Sequence, residues 1–129
     1  MIVVDASVIV DVLVNGARAR ATRARLSDDE LFAPDILDVE VASALRGLWL
    51  TGRLDDMRLD RAIDDLARLR VERHPSTLLI RRSLHHRANL TTYDATYVAL
   101  AETLGCSFVT RDRRIATAPR LRCSVEVLP

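Results

Sequence analysis

Short runs of apolar and β-branched residues recur along the chain, and they predict five strands. The first run is apolar from Met1 to Val4 and ends at Asp5, as expected of a strand that is buried on both faces. The predicted strands are Met1–Val4, Leu31–Ala33, Val71–His74, Ser107–Thr110 and Val125–Leu128.

Longer segments between these runs repeat apolar residues at steps of three and four, which is the period of an amphipathic helix. The predicted helices are Val8–Leu13, Ala17–Leu26, a segment that follows Asp35 and runs to about Thr51, Asp56–Leu69, Leu78–His86 and Thr92–Leu104. Asp35 and Ser76 are suited to cap the third and fifth of these helices. Strands that alternate with helices indicate a parallel sheet covered on both faces, and hence a three-layer α/β/α fold with about five strands.

Length and composition fit a single domain over residues 1–129. Of these residues 49% are hydrophobic and 29% are charged, and no linker or internal repeat interrupts them. No segment reaches the roughly 20 apolar residues that a bilayer requires, and Asp5 breaks the N-terminal run too early for a signal peptide. We therefore expect no membrane association and a cytoplasmic location.

All 19 basic residues are arginines, and the chain contains no lysine. Mechanisms that require a lysine are therefore excluded. The formal net charge is only +1, but neutralising four carboxylates with metal would raise it to roughly +5. That charge would attract a polyanion.

Two aspartates follow predicted strands. Asp5 ends the first strand, and Asp112 stands two residues beyond the strand Ser107–Thr110. The carboxyl ends of parallel strands meet at one edge of a sheet, where ligands bind near the point at which the strand order reverses. Each aspartate also has a simpler interpretation as the N-cap of the helical turn that follows it.

Two further acids lie on the apolar faces of predicted helices. Glu40 falls within the apolar stripe of its helix, and Asp94 shares a face with Tyr97 and Ala101. Alternatively, Glu40 could lie at the border of its stripe and meet an arginine. Asp94 also completes the capping box that begins at Thr91, although capping and a functional role can coexist.

The four positions converge on one crevice beyond the carboxyl ends of the strands. Carboxylates crowded there repel one another by on the order of several kcal/mol unless a cation compensates. All the candidate ligands are oxygen atoms, and this favours Mg²⁺, with Mn²⁺ as its substitute. The sequence therefore predicts a metal site that involves Asp5, Glu40, Asp94 and Asp112.

Other chemically versatile residues have structural interpretations. Cys106 and Cys123 are too few for a disulfide framework and are expected to be small buried side chains. His85 and His86 are expected at the surface or at a helix end. Trp49 is expected in the core or in a dimer contact.

These motifs resemble the PIN domain, and most of all its branch of VapC toxins from bacterial toxin–antitoxin pairs. The resemblance rests on Ile2-Val3-Val4-Asp5-Ala6-Ser7, on the helix that carries Glu40, on Tyr93-Asp94-Ala95-Thr96-Tyr97-Val98-Ala99-Leu100-Ala101, and on Phe108-Val109-Thr110-Arg111-Asp112. It covers essentially the whole chain, in order and at the usual spacing. The block that begins at Tyr93 is fairly specific, whereas the opening around Asp5 alone is not.

The resemblance implies that Asp5, Glu40, Asp94 and Asp112 are the catalytic residues of a ribonuclease, and that the three aspartates are its metal ligands. The implied reaction is the hydrolysis of an RNA phosphodiester, in which the metal activates water. Glu40 binds the metal through water or orients the attacking water as a general base.

The resemblance also implies supporting residues and partners. The hydroxyls of Ser7 and Thr110 match positions that often support the acidic cluster, and the family implies a homodimer and a cognate VapB-type antitoxin that blocks the site. Many relatives carry a further acid or polar residue shortly after the last aspartate. Here Arg113 and Arg114 follow instead, and this departure argues against a fully formed second metal site.

The arginines nearest to the predicted site are Arg111, Arg113 and Arg114, which are candidates for contacts with substrate phosphate. Each could equally be a solvated surface charge. Two Phe, two Tyr and one Trp are too few for a broad stacking platform. We therefore expect a structured RNA that is recognised by its shape.

Two other classes of enzyme are excluded because the chain lacks residues that their mechanisms require. A phosphoacceptor signalling receiver requires a lysine, which the chain lacks. A phosphatase of the haloacid-dehalogenase type requires a second aspartate two residues after Asp5, where Ser7 stands. The remaining alternative is a PIN-like module that binds RNA or a partner without cleaving.

Overall fold

The computed structural model describes all 129 residues and contains one five-stranded sheet. Its strands are β1 (Ile2–Val4), β2 (Leu31–Pro34), β3 (Val71–His74), β4 (Ser107–Thr110) and β5 (Val125–Val127). Their order across the sheet is β3-β2-β1-β4-β5, and every neighbouring pair is parallel. The five predicted strands are confirmed, with ends that differ by one residue at most.

Seven helices flank the sheet: α1 (Ala6–Val14), α2 (Ala19–Leu26), α3 (Leu37–Leu50), α4 (Asp56–Arg68), α5 (Ile80–Ser83), α6 (Thr92–Leu104) and α7 (Arg113–Ala116). Helix α1 packs against α2, α3 and α4, whereas α6 packs against α5 and against β1, β2 and β4. The predicted α/β class is therefore confirmed. None of the helices is long and apolar enough to cross a bilayer.

The strand order reverses beside β1. From β1 the chain adds β2 and then β3 on one side, and α6 carries it back to β4 on the other side. This reversal places the ends of β1 and β4 next to each other, with Val4 opposite Val109. The gap beyond these two ends is the position at which parallel α/β sheets bind ligands.

Helix α6 lies deepest among the helices because its central residues are mostly small. All residues from Ala95 to Ala101 are buried, and three alanines among them let the helix approach the sheet closely. Its start is capped by Thr91, whose side chain accepts a hydrogen bond from the backbone N–H of Asp94. Its end is at Gly105, which has a φ of 66° and so adopts the left-handed conformation that favours glycine.

The predicted cap of α3 is wrong. Helix α3 begins at Leu37, and the residue before it, Ile36, provides no side-chain cap. The carboxylate of Asp35 instead accepts hydrogen bonds from the Oγ of Ser76 and from its backbone N–H, the latter at 3.1 Å. Asp35 therefore ties the carboxyl end of β2 to the turn after β3.

The predicted helix over Leu78–His86 is divided into three short pieces. Two turns of 3₁₀ helix, Ser76–Leu78 and Leu84–His86, flank the four residues of α5. The Oγ of Ser83 donates a hydrogen bond of 2.8 Å to the carbonyl of Ile80. This side-chain bond competes with the regular backbone pattern and favours a break in the helix.

The structure decides in part the expectations for the histidines, Trp49 and the cysteines. His86 is at a helix end as expected, but it is buried, whereas His85 is exposed. Trp49 is 43% exposed and donates from its indole N–H to Asp56, so it does not lie in the core, and the alternative of a dimer contact stays a prediction. Cys106 and Cys123 are only partly buried, although burial still raises the pKa of the Cys123 thiol to about 11.

We predict that Asp35→Ala destabilises the turn at Ser76 and leaves the start of α3 intact. Loss of a capping carboxylate costs about 1 kcal/mol, which corresponds to a decrease in melting temperature of about 3–5 °C for a chain of this size. Hydrogen exchange should accelerate at Ser76 to Leu79. Faster exchange confined to the first turn of α3 would show that Asp35 caps that helix after all.

Candidate active site

Asp5 is held at the end of β1 by two hydroxyl groups. Its Oδ2 accepts hydrogen bonds from the Oγ of Ser7 at 2.5 Å and from the Oγ1 of Thr110 at 2.7 Å. Asp5 stands at the N-cap position of α1, but its side chain makes no capping hydrogen bond. The alternative interpretation of Asp5 as a helix cap is therefore not supported, and its Oδ1 accepts no hydrogen bond from the protein.

The two hydroxyls connect Asp5 to the backbone beyond β4. The Oγ1 of Thr110 accepts a hydrogen bond from the N–H of Asp112 at 3.1 Å, and the Oγ of Ser7 accepts one from the N–H of Arg111 at 3.3 Å. Thr110 is fully buried, so its hydroxyl requires partners. The predicted supporting positions, Ser7 and Thr110, thus both contact the acidic cluster.

Glu40 is anchored by a tyrosine from the opposite helix. The phenol of Tyr97 donates a hydrogen bond of 2.5 Å to the Oε2 of Glu40. Tyr97 is itself buried, and its ring stacks on Phe108 of β4 with centroids 5.7 Å apart. This contact links α3, α6 and β4 at the edge of the sheet where β1 ends.

The acids are close enough to influence one another. Burial raises the pKa of Glu40, and the carboxylates of Asp5 and Asp94 raise it further, against the opposing effect of the Tyr97 hydrogen bond. Burial likewise raises the pKa of Asp94, and the charges of Asp5 and Asp112 add to that shift. All four predicted acids therefore belong to one electrostatic cluster.

Asp112 is the acid with a cationic partner. Its carboxylate caps α7 by accepting from the N–H of Arg114 at 2.9 Å, and it forms an ion pair with the guanidinium of the same residue at 2.6 Å. These bonds hold the pKa of Asp112 below its ordinary value. The capping interpretation of Asp112 is thus correct, and it coexists with membership of the cluster.

No group of three or more carboxylate, imidazole or thiol side chains is arranged so that it could hold a metal ion directly. Mutual repulsion keeps uncompensated carboxylates apart, and Arg114 draws Asp112 toward α7. The donor atoms nevertheless suit a hard divalent cation because all of them are oxygens. Binding of a cation by Asp112 would require this carboxylate to leave Arg114.

The arginines after β4 differ in their surroundings. The side chain of Arg111 lies against Asp11, the hydroxyl of Thr22 and the carbonyl of Pro129, so its guanidinium is occupied by the fold. The expectation that Arg111 contacts substrate phosphate stays a prediction, and such a contact would require its side chain to leave these partners. Arg113 is exposed and has no hydrogen-bond partner or ion pair.

Tyr97 is the residue of the site to which sequence analysis assigned no role. Tyr97 follows Asp94 by three residues, and this spacing places both on the inward face of α6. The spacing is the only feature of the sequence that indicates a place for Tyr97 in the site. The contact with Glu40 joins residues 57 positions apart, and no local pattern contains that information.

Fold and site together define a parallel α/β domain with an acidic crevice at the point where its strand order reverses. The PIN-domain family matches residues 2–121. A VapC ribonuclease of Mycobacterium bovis and Ribonuclease VapC9 of Mycobacterium tuberculosis are each 41% identical over 129 residues, which is 100% of this chain and 99% of each relative.

Solved structures agree on the fold. The crystal structure of VapC20 from Mycobacterium tuberculosis, described as a Sarcin-Ricin loop cleaving toxin, aligns with a TM-score of 0.73 at 16% identity and covers 100% of both chains. At this identity the likeness concerns the fold alone. The chain belongs to the PIN-domain family, in its branch of VapC ribonucleases, as its motifs predicted.

We predict that Tyr97→Phe lowers the free energy of unfolding by about 1.5–2 kcal/mol, because the half-buried carboxylate of Glu40 loses its hydrogen-bond donor. Urea denaturation measures the change. Tyr93→Phe is the matched control, since Tyr93 is 63% exposed and its hydroxyl has no partner. Equal stability of the two variants would show that the Tyr97–Glu40 bond does not contribute.

We predict that Asp94→Asn stabilises the metal-free protein near neutral pH. Because the pKa of Asp94 is higher in the folded chain than in the unfolded one, folding binds protons, and stability falls as the pH rises above about 3.9. Asp94 is half exposed, so the gain is about 0.5 kcal/mol, or roughly 2 °C in melting temperature.

The gain should disappear below the ordinary pKa of aspartate, where Asp94 is protonated in both states. Asp64→Asn, a change at an exposed position of α4 without a hydrogen-bond partner, serves as the control and should leave stability unchanged. A loss of stability in the Asp94→Asn variant at every pH would identify Asp94 as a residue that only stabilises the start of α6.

Proposed function

We propose that this protein is an endoribonuclease that requires Mg²⁺ or Mn²⁺, and that it acts in the cytoplasm as the toxin of a toxin–antitoxin pair. The proposal rests on contacts that hold the acids in place: Ser7 and Thr110 bind Asp5 at the end of β1, and Tyr97 of α6 binds Glu40 of α3. Burial and neighbouring carboxylates raise the pKa values of Glu40 and Asp94. Such crowding is relieved by a divalent cation. The names of relatives that are about 40% identical support RNA as the substrate.

The residues that would hold the metal are Asp5, Asp94 and Asp112. A bound divalent cation would supply an activated water and would polarise a phosphoryl oxygen. Oδ1 of Asp5 is free to act as a ligand because both hydroxyl bonds go to Oδ2. The ion pair that engages Asp112 is solvent-exposed on the side of Arg114, so water and salt weaken it and Asp112 can be released to a metal.

Glu40 is the group best placed to orient a water molecule. The charges of Asp5 and Asp94 act on its carboxylate, and the raised pKa of Glu40 brings it closer to the range in which a carboxylate accepts a proton effectively. The bond from Tyr97 leaves Oε1 as the free oxygen of this carboxylate. In this proposal Glu40 is the general base and Tyr97 is the residue that positions it.

Substrate phosphate has two candidate partners beside the cluster. Arg113 is exposed and unpaired, and Arg114 becomes available once Asp112 binds metal. Such contacts position an RNA strand without reading its bases. Because aromatic residues are few, we propose that the substrate is a structured RNA that is recognised by its shape.

We also propose a homodimer and a VapB-type antitoxin as partners. Several large apolar side chains are left in contact with solvent, which supports the existence of protein interfaces. The most exposed of them, at 63–79%, are Val39, Met57, Leu78 and Tyr93.

A non-catalytic PIN-like binding module is the second candidate. Two observations favour it: Asp112 is engaged by Arg114, and no three side chains are arranged to hold a metal. Cleavage assays with and without metal distinguish it from the nuclease.

We predict that the protein cleaves a labelled, structured RNA in Mn²⁺ or Mg²⁺ and that EDTA abolishes cleavage. Glu40→Gln should reduce the rate by on the order of 10²-fold or more, because it removes the general base. Asp94→Asn should abolish both cleavage and the stabilisation of the folded protein by Mn²⁺. Asp64→Asn is the control for each measurement and should behave as the wild type does.

Cleavage that persists in EDTA would contradict the metal-dependent mechanism. Absence of cleavage with every RNA tested, accompanied by RNA binding, would favour the non-catalytic module.

A further inference from the structure

A second group of charged side chains lies at the other end of α6. It surrounds a cavity of about 170 Å³ that no hydrophobic residue lines. The lining residues are Arg82, His85, His86, Glu102, Arg120 and Arg122, and all of them are titratable. Glu102 follows Asp94 by eight residues, which corresponds to about 12 Å along the helix axis. The cavity is therefore separate from the acidic crevice.

Glu102 lies at the base of this cavity and binds several of its lining residues. Its side chain is only 3% exposed, and its Oε1 lies 3.0 Å from the Nε2 of His86 and accepts a bond of 2.9 Å from the backbone N–H of Arg122. Its Oε2 accepts from the Nη1 of Arg82 at 3.4 Å. One buried carboxylate thus fixes the positions of three lining residues that come from two distant segments of the chain.

The cavity retains an excess of positive charge. Glu102 is its only acid, so it compensates one of the three arginines. The guanidinium groups of Arg120 and Arg122 have neither an ion pair nor a hydrogen bond with the protein, and both residues are exposed. Two guanidinium groups are therefore available to bind a ligand that enters the cavity.

The basic surface continues beyond the cavity. His85 also lines an adjoining open depression, together with Arg81 and Arg87, and no acidic residue lines that depression. A continuous basic track suits a chain of phosphates better than an isolated small anion, because a polyanion gains from several contacts at once.

We infer that the cavity bounded by Arg82, Arg120 and Arg122 is a binding site for a phosphate group, supplied by the sugar–phosphate backbone of RNA at a distance from the scissile bond. The identification of RNA as the source rests on the proposed ribonuclease function. The cavity, of about 170 Å³, is large enough to admit a phosphate group. Planar guanidinium groups bind phosphate oxygens in bidentate fashion.

The test compares the full-length wild type with the double variant Arg120→Gln/Arg122→Gln, which keeps the backbone bond to Glu102. The control is Arg20→Gln/Arg53→Gln, which removes the same charge from exposed arginines that have no partner. Affinity for a fluorescent RNA hairpin is measured in EDTA, where no cleavage occurs, at about 50 and 200 mM salt. Titration calorimetry with inorganic phosphate forms the second arm.

With RNA, the logarithm of the affinity falls linearly with the logarithm of the salt concentration, and loss of two phosphate contacts should reduce the magnitude of this slope by about 2. The decrease in affinity between the two salt concentrations should therefore be about tenfold smaller for the double variant than for the wild type. The control variant should keep the wild-type slope. Loss of phosphate binding with unchanged RNA binding would identify free phosphate as the ligand of the same site.

Two results would overturn the inference. One is that the double variant and the control bind RNA and phosphate equally well. The other is that a hexaglutamate peptide binds the cavity whereas inorganic phosphate does not, since the ligand would then be an acidic protein segment. Cleavage by the wild type in Mn²⁺ is measured separately, so failure of the proposed nuclease function is recognised independently of this site.

Discussion

The parallel pairing of β1 with β4 is the constraint on which the candidate active site depends. It sets Val4 opposite Val109, so that Asp5 and Thr110 leave the sheet side by side. The buried hydroxyl of Thr110 then satisfies its hydrogen-bonding requirement by donating to the carboxylate of Asp5. A one-residue shift between the strands would turn Thr110 to the opposite face and would leave both groups without that partner.

Different kinds of side chain stabilise the negative charges in the crevice. Hydroxyl groups stabilise Asp5, a buried phenol holds Glu40, and the exposed guanidinium of Arg114 engages Asp112. Burial raises the pKa of Asp94, and the nearby charges of Asp5 and Asp112 raise it further, against the opposing effects of Thr91 and Arg114. Carboxyl groups whose pKa values are raised by burial and by neighbouring carboxylates are enriched at functional sites.

Helix α6 connects two regions of opposite charge. Its first turn contributes Asp94 to the acidic crevice, and its last turns contribute Glu102 to the basic cavity. The central residues of the helix are buried and pack against the sheet, so both ends are fixed relative to it. A polyanion that spans both regions would meet arginines at one end and, with a metal present, a compensated acidic cluster at the other.

Hydrophobic periodicity determined the fold class and the five strands, and the acids that interrupt it predicted the acidic cluster, because these features lie in local spacing. The family followed from the resemblance of whole motifs, such as the block that begins at Tyr93. Only the tertiary structure decided the partners of individual side chains: Tyr97 for Glu40, Ser76 for Asp35, Glu102 for the buried His86, and Asp11 for Arg111. These contacts join residues that are far apart along the chain. Their pairing depends on the packing of whole helices and strands, which no local pattern encodes.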